Sequence, residues 1–344
     1  MVLAIWQAVR RAVRRDLGTL QSIRLNHFFL FVALMIWGAL VVDQPPTSAY
    51  PFLLLLGLLV LFPISSDPLA KIPAVRLEIW PVSERDRFRL RMASLALSPV
   101  VWFTLLLAVV GRPGLAAAFL AAGVAAQALV AGCERMTRRR PRWNGLAFVP
   151  PIPGRLGGLV RNHVRQMLSV LDVYAALALS AGGTAYRVWG THPDRAAFPI
   201  LALLVALALS TGAQCLFGLD SAAAMTRYRL LPLRGWQILL AKDLAVLGVL
   251  LVLVLPLSVL PGMTFGLTAL GIGHFASVAK PLPQKRWRFL GGRMMSGVPQ
   301  AVLGFALGFT ESQGKPWLAG AAAMAWLASL AVCGERWERR HGRR

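Results

Sequence analysis

About ten apolar segments, each long enough to cross the ~30 Å hydrocarbon core of a bilayer, run through this chain. They fall at roughly 25–42, 48–64, 92–111, 114–133, 169–186, 197–217, 239–260, 262–279, 294–310 and 316–333. Inside lipid a segment must satisfy its own backbone hydrogen bonds, which makes each of these a helix. Composition agrees. Of the 344 residues 57% are hydrophobic and 15% charged, and the mean hydropathy is +0.61, too little polarity to coat a soluble protein. The expected fold is an all-α, polytopic membrane bundle of about ten transmembrane helices.

A net charge of +23 would raise nucleic acid as a partner for a soluble chain, but here the bases lie in blocks between apolar spans. Blocks at 10–24, 71–91, 135–165, 227–242, 280–293 and 336–344 hold 33 of the 37 Lys and Arg residues. The other four, Arg112, Arg187, Arg195 and Lys315, fall in the alternate loops. This is the positive-inside pattern at every crossing, and it places both termini in the cytoplasm. The expected setting is the plasma (inner) membrane, with anionic lipids as partners and no nucleic acid. The N-terminal Arg cluster resembles a signal-peptide start, but no small-residue cleavage site follows the apolar run at 28–42, so it reads as a retained first span.

Two cytoplasmic stretches about 150 residues apart share a pattern. The first runs from Arg76 through Pro81 to Arg91, the second from Arg227 through Pro232 to Lys242. In each, Pro follows an Arg by five positions and a base follows the Pro by ten. The repetition points to duplication, giving two similar four-helix units plus two extra helices. Both copies face the same side, so the repeat is parallel. The expected organisation is an interfacial amphipathic helix at 1–24, a first membrane unit at 25–133, a basic cytoplasmic connector at 134–168, a second membrane unit at 169–279, and the last two helices with a basic tail at 280–344. Residues 156–168, with Leu156, Val160, Val164 and Leu168 against Arg155, Arg161 and Arg165, read as a second copy of the interfacial helix or as ordinary basic flanking.

Each repeated loop reads as a short helix. Pro232 suits a first helical turn, after which Leu233, Trp236 and Leu240 share one stripe, away from Arg234 and Lys242. In the first copy Ser83 and Asp86 have capping-box spacing, and Arg85 begins an alternation of bases and acids. Such helices either dock a soluble subunit or rest on lipid headgroups.

Read with its flanks, the second loop contains Cys215-Leu-Phe217-Gly218-Leu-Asp220, then Arg227, Pro232 and Lys242-Asp243-Leu244-Ala245. This resembles the permease subunits of type-two ATP-binding-cassette exporters, in which a span ends in an Asn-x-Phe-Gly-x-Asp-like stretch and a short helix ends in Gly-Lys-Asn-Leu-Ala. Here Cys215, Ala241 and Asp243 depart from the pattern, and ten spans exceed the usual six. The first copy keeps Asp67, Arg76, Pro81 and Arg91 but lacks the Phe-Gly pair. The resemblance implies that Arg76, Pro81, Ser83, Arg85, Arg91, Arg227, Pro232, Arg234, Trp236 and Lys242 belong to coupling helices gripping an ATP-binding-cassette ATPase. It implies that ATP is bound by that partner, with no cofactor and no catalytic residue in this chain. It also implies an elbow helix at the N-terminus, and a homodimer or a second permease subunit to complete the transporter.

Other chemistry is sparsely represented. Gly308 to Lys315 departs from a phosphate loop, with one residue too many between its glycines and Pro316 where Ser or Thr is needed. The five His and three Cys stand at no ligand spacing. Acidic residues inside spans are nearly lacking, which disfavours an ion-coupled transporter. Asp172 is the exception, as a functional carboxylate or paired with Arg165 or a headgroup. His274 and Gln300 are polar candidates for an inner surface or for helix–helix hydrogen bonds. The competing reading is a non-transporting membrane scaffold whose basic loops bind lipid and a cytosolic partner.

Overall fold

The computed structural model describes residues 149–341, apart from 191, 221, 280, 285, 287 and 288, together with residues 7, 83, 85, 86, 89, 114 and 121. The chain divides into two compact units, and nearly all described residues belong to the second, Gly145–Arg344 with Arg24–Phe28. The expected helices before residue 134, and with them the proposed first four-helix unit, lie outside the described residues.

The described part of the second unit is all helix and loop. Its helices are α1 (Gly157–Met167), α2 (Leu171–Trp189), α3 (Ala197–Gln214), α4 (Ala222–Leu230), α5 (Gly235–Val254), α6 (Val259–Ala279), α7 (Met294–Ser312) and α8 (Trp317–His341). Each apolar segment expected after residue 168 is a helix. Four of them, α3, α5, α6 and α8, are long and apolar enough to cross a membrane, which indicates a multi-pass membrane protein. The bent pair α1–α2 would make a fifth if counted as one span.

Burial sorts the helices. In α3 an unbroken run from Ala202 to Thr211 is buried, so this helix has no solvent or lipid face over three turns. It packs against α2, α5, α6 and α7, while α6 packs against α3, α5, α7 and α8. These two helices form the centre of the bundle. α1 turns 81° away from α2 and lays Val160 against Ala241 and Ala245 of α5. The turn is fixed by Ser169 Oγ donating to the Gln166 carbonyl at 2.6 Å and by the Tyr174 hydroxyl donating to the Leu168 carbonyl at 3.0 Å. The stretch expected as a second interfacial helix is thus a discrete helix.

The second loop differs from expectation in one respect. Pro232 lies in a bend, not in a first helical turn, and α5 starts three residues later at Gly235. From there one continuous helix runs to Val254, so Trp236 and Lys242 belong to the first two turns of a candidate span. The short helix of this loop is instead α4, which precedes the proline and carries Arg227. The cause is the apolar content of 238–241, which lets the span begin early; the Arg234 N–H, at the cap, is taken by Gln237 Oε1 at 2.9 Å.

Candidate functional site

Lys242 enters the bundle two turns into α5 and is 2% exposed. Its Nζ donates to Asp220 Oδ2 at 2.7 Å and to the Leu216 carbonyl at 2.7 Å. It also lies 4.7 Å from the centre of the Phe217 ring and 5.5 Å from that of Tyr228. An ammonium out of water needs such an arrangement, with an opposite charge, a carbonyl and two aromatic faces replacing its hydration. The other carboxylate oxygen of Asp220 accepts from Gln166 Nε2 at 2.9 Å and from the Tyr228 hydroxyl at 3.1 Å. Elements α1, α4, α5 and the α3–α4 loop therefore meet on one ion pair.

The electrostatics follow. Burial alone would raise the Asp220 carboxyl, but the charge and hydrogen bond of Lys242, with the Gln166 bond, outweigh it and hold the group below the usual carboxylate range. Burial and the Asp220 charge push the Tyr228 phenol well above its ordinary value, so it remains a donor. His163, on α1, stands with Nδ1 3.3 Å from Lys242 Nζ. Burial, reinforced by that ammonium, pushes its ring down to about 3. Nδ1 stands between the Gln166 amide oxygen, an acceptor at 3.1 Å, and the Lys242 ammonium, a donor at 3.3 Å. His163 Nε2 is buried and without a hydrogen-bond partner. His163, Lys242, Asp172 and Cys215 border one small pocket of about 40 Å³.

Gly218 has a specific steric task. A Cβ there would stand 2.4 Å from the Leu282 carbonyl oxygen, because the α6–α7 loop crosses its backbone and Gln284 N–H donates to the Gly218 carbonyl at 2.7 Å. The Phe-Gly pair thus serves two contacts: Phe217 faces Lys242 and stacks on Trp337 of α8, while Gly218 admits the loop.

The next residue of α5, Asp243, is fully buried toward other helices. It faces His274 Nε2 of α6 at 2.9 and 3.0 Å and accepts from Trp326 Nε1 of α8 at 2.9 Å. His274 Nδ1 lies 2.8 Å from Ser329 Oγ, whose proton goes to the Trp326 carbonyl, also at 2.8 Å. Asp, His and Ser adjoin here, but His274 is fully enclosed and the serine hydroxyl is spent on a backbone carbonyl. The arrangement ties α5, α6 and α8 together and does not make a nucleophile.

The three intramembrane candidates are all buried and bonded. Asp172 accepts the Leu290 N–H at 2.9 Å, holding the α6–α7 loop to α2. Gln300, on α7, donates to the Ala269 carbonyl at 2.5 Å and accepts from Gln214 Nε2 at 2.5 Å. His274 and Gln300 thus make the helix–helix bonds that were one of their two expected roles. Of the loop residues, Arg227, Pro232, Arg234 and Trp236 are exposed near α4 and the start of α5, whereas Lys242 is buried. Arg76, Pro81 and Arg91 lie outside the described residues. Ser83 and Arg85 are exposed, and Ser83 Oγ accepts the Asp86 N–H at 3.2 Å and donates to the Asp86 carboxylate at 2.7 Å, as the capping spacing implies. The expectation that Asp172 is the exceptional acid of the spans is corrected by Asp243, which lies inside the expected apolar segment 239–260 and is fully buried in the third turn of α5. His163, one of the five histidines at no ligand spacing, shares the buried face of α1 with Val160 three residues before it. Among the described residues no group of three His, Cys, Asp or Glu is placed to hold a metal ion.

Compared with known proteins, the chain matches no protein-family model, no curated protein and no solved structure.

Proposed function

We propose that this chain is the membrane-spanning permease subunit of an ATP-driven exporter, with ten spans and both termini in the cytoplasm. It would couple ATP hydrolysis by a separate ATP-binding-cassette subunit to substrate export through alternating access. The observation that carries this reading is the convergence on Lys242. Phe217, Asp220 and Lys242, which carry the resemblance in sequence, meet in one buried cluster together with Tyr228 of α4. A partner bearing on the exposed side of α4, at Arg227 and Arg229, would pull on Tyr228 and Asp220 and so on the buried start of α5. Helix α1 is tied to the same carboxylate through Gln166.

The test is purification of the tagged full chain from its native membrane in mild detergent, with mass spectrometry of stoichiometric partners. An ATP-binding-cassette ATPase that is lost on R227E/R229E, with the chain's thermal unfolding unchanged, supports the exporter. Absence of any ATP-binding partner favours the scaffold. The Asp243–His274 pair supplies the intramembrane charge that a proton-coupled transporter needs, so a third reading follows if transport proceeds without ATP.

A further inference from the structure

A groove of about 750 Å³ opens between the start of α5 and the second half of α8. The two helices touch backbone to backbone where Gly235 meets Gly334; a Cβ on either would lie 2.3 Å from the Gly334 carbonyl or 2.6 Å from Trp236 Cα. Beside this crossing the groove walls are apolar, formed by Leu240 and the half-exposed Leu327, with Trp236 nearer the end. Its mouth is polar, formed by Arg234, Glu335 and Glu338. Both helices are candidate spans, so the groove runs from the charged end of the bundle toward the hydrocarbon.

The carboxylates are the informative part. In the described unit Asp172 and Asp243 are buried, the Asp220 side chain is enclosed with Lys242, and Asp194 and Glu311 stand at the opposite end. The remaining two acids, Glu335 and Glu338, both line this mouth, on a chain with a net charge of +23. Glu335 pairs with Arg339, and Glu338, which lines the mouth with Arg234, accepts the Gly235 N–H at 3.4 Å. The mouth is thus a neutral zone with separated signs on an otherwise basic face.

We infer that this groove is a binding site for a zwitterionic phospholipid with a primary-amine headgroup. Arg234 takes the phosphate, Glu335 and Glu338 take the ammonium, Trp236 sits at headgroup depth and an acyl chain lies along Leu240 and Leu327. An anionic lipid would face two carboxylates. A choline headgroup, with no N–H, would leave them without donors. The inference holds whether or not the chain is a permease.

The experiment is native mass spectrometry of the detergent-purified full chain with equal amounts of dioleoyl phosphatidylethanolamine, phosphatidylcholine and phosphatidylglycerol. Phosphatidylethanolamine should be retained in preference. E335Q/E338Q should abolish that preference and lower its retention roughly two- to fivefold, the range for exposed charge pairs. A331W, which fills the groove, should lower retention of all three. Equal retention of the three lipids, preference for phosphatidylglycerol, or a preference that survives E335Q/E338Q would overturn the inference.

Discussion

Lys242 and Asp243 are adjacent on α5, yet each is buried against a different set of helices, Lys242 on Asp220 and Asp243 on His274. Two consecutive charged residues inside a candidate span would be prohibitive alone. Lys242 is tolerated because the Asp220 carboxylate lies within hydrogen-bond distance, and Asp243 because the His274 ring and the Trp326 N–H occupy its oxygens. Together they fasten α5 to α1, to α6, to α8 and to the chain entering α4.

Breaking the first pair on one side strands a buried charge. K242M and D220N should each destabilise the protein by about 3 kcal/mol or more, and K242M/D220N by less than the sum of the two. Thermal or denaturant unfolding in detergent measures this. Additive losses would mean that the two residues act independently.

Acidification should be felt at His163. Its ring is held down to about 3 in the fold against an ordinary value of 6.5, so between those limits the unfolded chain binds the extra proton. Stability from this group is complete above the ordinary value and falls as pH drops below it, by about 2 kcal/mol between pH 7 and pH 5. H163Q should flatten that part of the pH–stability curve. An unchanged slope would exclude His163 as its source.

At the second pair, substitution by an amide and by alanine should differ. In D243N the side chain still accepts the Trp326 N–H and can donate to the imidazole, whereas D243A leaves two buried donors unmet. D243A should cost about 3 kcal/mol and D243N clearly less, read from unfolding midpoints. Equal losses would mean that the charge itself is required.

Gly218 gives a steric prediction. G218A drives a methyl into the Leu282 carbonyl and should cost about 1–3 kcal/mol, with the loosened α6–α7 loop becoming more sensitive to protease. A neutral effect would show that the loop shifts freely.

Apolar runs made the helices after residue 168 legible, because membrane length is written directly in composition. Their ends were less so. Lys242 falls in both the expected basic block 227–242 and the expected apolar segment 239–260, and its partner Asp220, 22 positions away, lets the helix continue through it. The His274–Ser329 contact joins residues 55 apart with no local pattern to announce it. Phe217 and Asp220 contact Lys242 and Gly218 contacts the α6–α7 loop, links over 22 positions or more that no local pattern announces.

The most direct measurement is photo-crosslinking in native membranes from a benzoyl-phenylalanine placed at Leu230, which is exposed at the end of α4. The account predicts a protein adduct containing an ATP-binding-cassette ATPase, stronger from Leu230 than from Leu255 beyond the opposite end of α5. Lipid adducts alone, or equal protein adducts from both positions, would contradict it.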